Sequence, residues 1–205
     1  MRSSTDVGEA AALARNDRFL VEVVEGWSLC PFARATRLSG QLAREVLPGQ
    51  APATQVSERA HRYDDDGAQI VLLILPEWVG NPRAFERFVE DVRRHYEAGV
   101  DPGFAMAPFH PDSDFYTDTP SRMVGLFRRA PDPTIQLVRY TALDAARRHA
   151  PDGKFFFDGT AESWKAIAAR PERGLSEQIA CDNYDRVGTR SGELVTLLGD
   201  IKQWR

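Results

Sequence analysis

Gln69-Ile70-Val71-Leu72-Leu73-Ile74-Leu75-Pro76 is continuous aliphatic sequence closed by a proline. A strand with one wet face alternates apolar and polar residues, whereas a strand covered on both faces has no polar positions to mark. The run therefore predicts a strand near the middle of a sheet. Downstream, Asn81-Pro82 predicts a helix start, since Asn can cap and Pro suits the first turn. Phe85, Phe88, Val89, Val92 and Tyr96 then form one stripe before Gly99. Residues 104–109 and 134–140 read as further strands, 41–47 as a short first one, and Thr141 as the cap of a short helix toward His149.

Upstream, Leu13, Leu20, Val24 and Trp27 recur at near-helical spacing, which predicts an amphipathic helix over 9–25 ending near Gly26. In Trp27-Ser28-Leu29-Cys30-Pro31-Phe32-Ala33, Pro31 suits the start of a new helical turn and places Cys30 at its cap. Residues 48–67 contain Pro48-Gly49, Pro52 and the run Asp64-Asp65-Asp66, and read as a flexible loop. Residues 154–159 read as a short extended segment, and Thr160 as the cap of a helix carrying Trp164 and Ile167. Residues 171–205 are helical in pattern, with Ile179 in one piece and Leu194, Leu197, Leu198 and Ile201 in another. The expectation is a single α+β domain over 1–205, with a small mixed or antiparallel sheet of three to five strands packed with helices.

With 42% hydrophobic residues, four Trp and eleven Phe in 205 residues, the chain can bury one substantial core. A net charge of -4 and a pI near 5.6 argue against a general nucleic-acid binder. All but three of the 26 basic residues are arginine, as codon bias alone would give. The first residues lack the apolar stretch of a signal peptide, and the longest apolar run is too short to span a bilayer, so a cytoplasmic protein with no membrane partner is expected. Cys30 and Cys181 show neither zinc spacing nor a disulfide framework. Glycine-rich nucleotide loops, a serine nucleophile elbow and helical metalloprotease pairs are absent. The expected partner is a small-molecule substrate, and a homodimer is compatible with the composition.

Candidate chemistry centres on Phe109-His110-Pro111-Asp112-Ser113-Asp114-Phe115. His110 follows an apolar strand, and its neighbouring carboxylates suit either a metal ligand or a general base, although Pro111 could simply start a turn that Asp112 and Asp114 cap. Cys30, if it lies at a helix N-terminus, would have a favoured thiolate; the alternative is a small buried hydrophobe between Trp27 and Phe32. Arg122, Arg128, Arg129 and Arg139 surround Pro131-Asp132-Pro133 and could hold an anion through paired donors. Arg139 stands out because it interrupts an apolar strand and needs a partner.

Cys30-Pro31-Phe32-Ala33, Phe109-His110-Pro111-Asp112 with Phe115, and Arg129-Ala130-Pro131-Asp132-Pro133-Thr134 with Leu137-Val138-Arg139 resemble, in order and approximate spacing, a bacterial family known as a domain of unknown function. More distantly the same order is similar to the YqcI/YcgG family, which includes heme-dependent enzymes that hydroxylate a guanidine nitrogen. That resemblance implies heme as cofactor, His110 as the axial metal ligand, and a heme-dependent oxidoreductase, oxygenase-like, acting on a small nitrogen-containing metabolite. Arg128, Arg129 and Arg139 would then meet the propionates. The chain departs from the first family at Gln136, where a histidine is usual, and at Ala130, where a serine is. Two other readings stand beside it. One is thiol chemistry with Cys30 as nucleophile, His110 as base and Asp112 or Asp114 as orienter. The other is a non-catalytic binding module.

Overall fold

The computed structural model describes residues 4–98, 102–148 and 175–204. β2 (Ile70–Ile74) is buried at every position. It lies between β1 (Leu42–Val46), which it pairs in parallel, and β4 (Thr134–Arg139), which it pairs antiparallel. β3 (Phe104–Phe109) pairs antiparallel with β4, so the mixed sheet runs β1-β2-β4-β3. Pro108, which cannot donate to a ladder, sits on the edge strand β3, where one side needs no donor.

The alternation of β2 distributes its side chains between two cores. Val71, Leu73 and Leu75 join Val56, Phe85, Val89 and Tyr96, contributed by α3 (Ala53–His61) and α4 (Pro82–Glu97). Ile70, Leu72 and Ile74 face the other way, onto Ala12, Leu20 and Phe32. The aliphatic run is therefore a central strand covered on both faces, and the fold is α+β. A third cluster extends the second face. It joins Phe19 and Val23 to Met123 and Leu126 of α5 (Pro120–Phe127) and to Leu194, Leu198 and Ile201 of the final helix.

α1 (Ser4–Arg18) passes into a π-helical segment, Phe19–Glu25, that stops at Gly26. Its widened turn sends Phe19 and Val23 into one cluster and Leu20 into another. Beyond the sheet follow α6 (Tyr140–Arg148), α7 (Leu175–Val187) and α8 (Ser191–Gln203), so the described part of 175–204 is helical in two pieces.

Several boundaries differ from the sequence reading. Residues 48–67 are not a flexible loop throughout, because they carry α3, with Val56 and Ala60 fully buried. The cause is topological: β1 and β2 are parallel, and a parallel pair needs a crossover that packs on the sheet. α2 (Ala33–Leu38) starts after Phe32, so Cys30 is not its cap. α5 was not anticipated, although Thr119-Pro120 repeats the logic of Asn81-Pro82. Asn81 Oδ1 accepts from Ala84 N–H at 2.9 Å and Thr119 Oγ1 from Arg122 N–H at 3.4 Å. The extended segment at 154–159 and the helix after Thr160 lie outside the described residues.

Arg139 finds its partners in the main chain. Its Nε donates to the Ala68 carbonyl at 2.7 Å and its terminal nitrogens to those of Asp64 and Tyr63 at 2.9 and 2.7 Å. The guanidinium also lies 4.4 Å from the Phe104 ring centroid. One side chain thus fixes the turn leading into β2. Arg139→Ala removes the guanidinium donor from all three carbonyls, of which only that of Tyr63 keeps another among the described residues, the Asp66 N–H, and should destabilise the fold by about 2–4 kcal/mol. Arg139→Lys, with a point charge in place of a planar fork, should recover less than half of that in urea unfolding.

Candidate functional site

β3 ends at Phe109, and the next residue leaves the ladder. The N–H of His110 donates to the carbonyl of Arg128 at 3.0 Å, which ties the strand end to the C-terminus of α5. His110 is only 5% exposed, which matters because a charged imidazole would be costly there. Its ring meets Trp78 edge-on at 6.1 Å and Phe85 at 5.8 Å between centroids.

Nδ1 accepts the Asp112 N–H at 3.2 Å. The Gly80 backbone also faces the ring and favours its protonated form, as a carbonyl does. With Nδ1 accepting, Nε2 is the nitrogen that carries the hydrogen. Burial holds the imidazole pKa below its ordinary 6.5, against the opposing pull of Asp112. His110 is thus a neutral ring knitting together two loops.

The partner loop is itself constrained. Gly80 has φ +155, and a Cβ there would fall 2.5 Å from the Trp78 ring. On the other side, a Cβ at Gly125 would lie 1.8 Å from the Asp114 carbonyl, so α5 rests directly on the backbone of the 110–116 loop.

Between these elements lies a pocket of about 400 Å³. Phe85, Pro108, His110, Val124 and Gly125 supply its less polar surface. Arg83 and Glu86 from the first turns of α4 form one wall, and Asp114 and Arg128 belong to the other. Ser121, Arg122 and Tyr116 complete it; Arg122 pairs with Asp118 and lies 4.0 Å over the Tyr116 ring. The cavity falls within the roughly 300–1,000 Å³ range of small-molecule sites.

Residues 11–168 match the model of a family described as a protein of unknown function, DUF1415. The chain belongs to this family. No curated protein and no solved structure matches it. The DUF1415 match takes in the whole pocket and ends before α7 and α8, and so before Lys202.

In this DUF1415 chain the residues singled out from sequence go to separate places. Asp112 orients His110 through its backbone; its carboxylate instead pairs with Lys202 Nζ at 2.7 Å, which holds the carboxyl below its usual pKa. Arg129 donates to the Ser113 carbonyl at 2.9 Å and stacks on Phe115. Arg128 does line the pocket. Arg139 pairs with Phe104 at the far end of β3, roughly 17 Å from the strand end that carries His110. Cys30 packs against the Ile70, Leu72 and Ile74 face, whereas His110 meets Phe85 on the opposite core, so the thiol and imidazole form no dyad. Burial raises the Cys30 pKa despite hydrogen bonds from the Phe32 and Ala33 backbone. Arg83, Glu86, Tyr116 and Ser121 were missed, because their convergence depends on α5, which was itself missed.

No group of three or more His, Cys, Asp or Glu side chains among the described residues is arranged to hold a metal ion. Among the described residues, no helix is long and apolar enough to cross a membrane.

Two outcomes follow for these side chains. The folded protein favours neutral His110, so the unfolded chain binds more protons between the lowered native pKa and 6.5. The His110 contribution to stability should be complete above pH 6.5 and decline as pH falls through the native pKa. His110→Gln should flatten that part of the urea-unfolding profile. For Cys30, iodoacetamide alkylation should be slower than for a free thiol, with no inflection below its ordinary 9.0.

Proposed function

We propose that this protein binds a small polar metabolite in the pocket beside His110, and that His110 is a positioning residue there. The observation carrying this reading is the buried imidazole: it is hydrogen-bonded to the Asp112 turn and packed against Trp78 and Phe85 at the edge of a cavity of ligand size. A site held this way is shaped before its ligand arrives, which lowers the ordering cost of binding.

The heme-dependent N-hydroxylation implied by the YqcI/YcgG resemblance does not fit these residues. An axial ligand needs a free nitrogen lone pair. Nδ1 has given its lone pair to the Asp112 N–H, so in the neutral ring Nε2 carries the hydrogen. Of the arginines assigned to propionates, Arg139 is committed to main-chain carbonyls at the other end of the sheet, and Arg129 to Ser113. The Cys30 thiol reading loses its base for the same geometric reason. The binding reading needs neither.

A plug variant tests the proposal. Ser121 is exposed on α5 and lines the pocket, so Ser121→Trp should fill the cavity while leaving the melting temperature within a few degrees of the parent. Ligand-observed NMR with a panel of small polar metabolites should give hits that compete with one another and vanish in Ser121→Trp. A panel without hits, or hits that persist in the plugged variant, contradicts the proposal. Added hemin should give no Soret band that depends on His110. A band abolished by His110→Ala would restore iron ligation.

A further inference from the structure

The pocket is lined by charges of both signs. Arg83 and Glu86 sit on the α4 wall, Asp114 and Arg128 on the wall made by the 110–116 loop and α5. All four are exposed, and none makes a side-chain hydrogen bond or ion pair with a described residue. Arg122, the remaining lining arginine, is already paired with Asp118. Arg129 is drawn electrostatically to Asp114 but donates its hydrogen bond to Ser113. Each wall therefore offers one guanidinium and one carboxylate that lack a directed partner.

A ligand with a single negative charge would answer the arginines and leave two carboxylates facing it, and a simple cation would meet the converse problem. A ligand carrying both signs answers both walls. The first turns of α4 and α5 also border the cavity, and their positive dipole ends favour a carboxylate there. Beneath the charges, the half-buried Pro108 and Val124 give an apolar surface that a side chain can cover.

We infer that the ligand is a zwitterion of the α-amino acid class, its carboxylate held by Arg83 and Arg128 and its ammonium by Glu86 and Asp114, with its side chain over Pro108 and Val124. This rests on the binding reading above and names the chemical class that site takes. No bond is made or broken in it.

Calorimetric titration of the full chain with the standard α-amino acids, followed by the decarboxylated amine and the deaminated acid of the best binder, tests it. The zwitterion should bind at least tenfold more tightly than either counterpart. Arg128→Gln and Asp114→Asn lie at exposed positions and should leave the melting temperature unchanged while each weakens the zwitterion about tenfold or more. Arg128→Gln should narrow the gap to the amine, and Asp114→Asn the gap to the acid, a crossed pattern that a general loss of structure would not give. If no amino acid binds, or if amine or acid equals the zwitterion, the inference is overturned. Should other metabolites then still bind in a manner abolished by Ser121→Trp, the pocket reading survives without it; should nothing bind, both fall.

Discussion

Every placement in this molecule depends on a strand with no wet face. Because Ile70 to Leu75 carries apolar side chains in both directions, it must be covered twice, by α3 and α4 on one side and by the α1, π-helical and α2 region on the other. A fully buried aliphatic side chain contributes about 1.5–3 kcal/mol by leaving water, so uncovering either face would outweigh any single polar contact in the fold. The double cover fixes the sheet order, puts β3 at an edge, and leaves the end of that edge strand as a place where the chain can turn out under α4.

The pocket grows from this geometry. At the end of β3 the backbone can no longer pair with β4, and the N–H of His110 is taken up by the carbonyl that closes α5. The imidazole then becomes the internal strut of the opening, held at Nδ1 by the Asp112 N–H and packed against Trp78. Glycine is required where the neighbours close in: at Gly80, for its positive φ and the Trp78 ring, and at Gly125, for contact with the Asp114 backbone. The same burial that makes His110 a good strut makes it a poor base and a poor metal ligand. A histidine beside carboxylates in sequence can thus be structural in space, its real partner being the Asp112 N–H rather than the Asp112 carboxylate.

The sequence made the central strand, the capped helix α4 and the remaining strands legible, because each rests on local apolar pattern and local capping. It concealed α3, whose buried Val56, Ser57 and Ala60 among polar neighbours make sense only once β1 and β2 are known to be parallel. It also concealed α5, whose Thr119-Pro120 start is present in the sequence but is followed by only one short turn of apolar pattern. The site suffered more than the fold. His110 stands out by its strand-end position, whereas Arg83 and Glu86 lie 27 and 24 residues before it and share the pocket only through tertiary packing. Arg139 was correctly singled out as needing a partner, but the partners are main-chain carbonyls, which no side-chain pattern announces. The DUF1415 match covers the pocket and brings no assigned chemistry with it, so the reading of the site rests on its geometry.

The central claim is that His110 is a buried, neutral imidazole whose Nδ1 accepts the Asp112 N–H. Nitrogen-15 NMR of the ring tests it most directly. The account predicts a protonated Nε2, an unprotonated Nδ1 and a titration midpoint below 6.5. A protonated Nδ1, or a midpoint at or above 6.5, would contradict it.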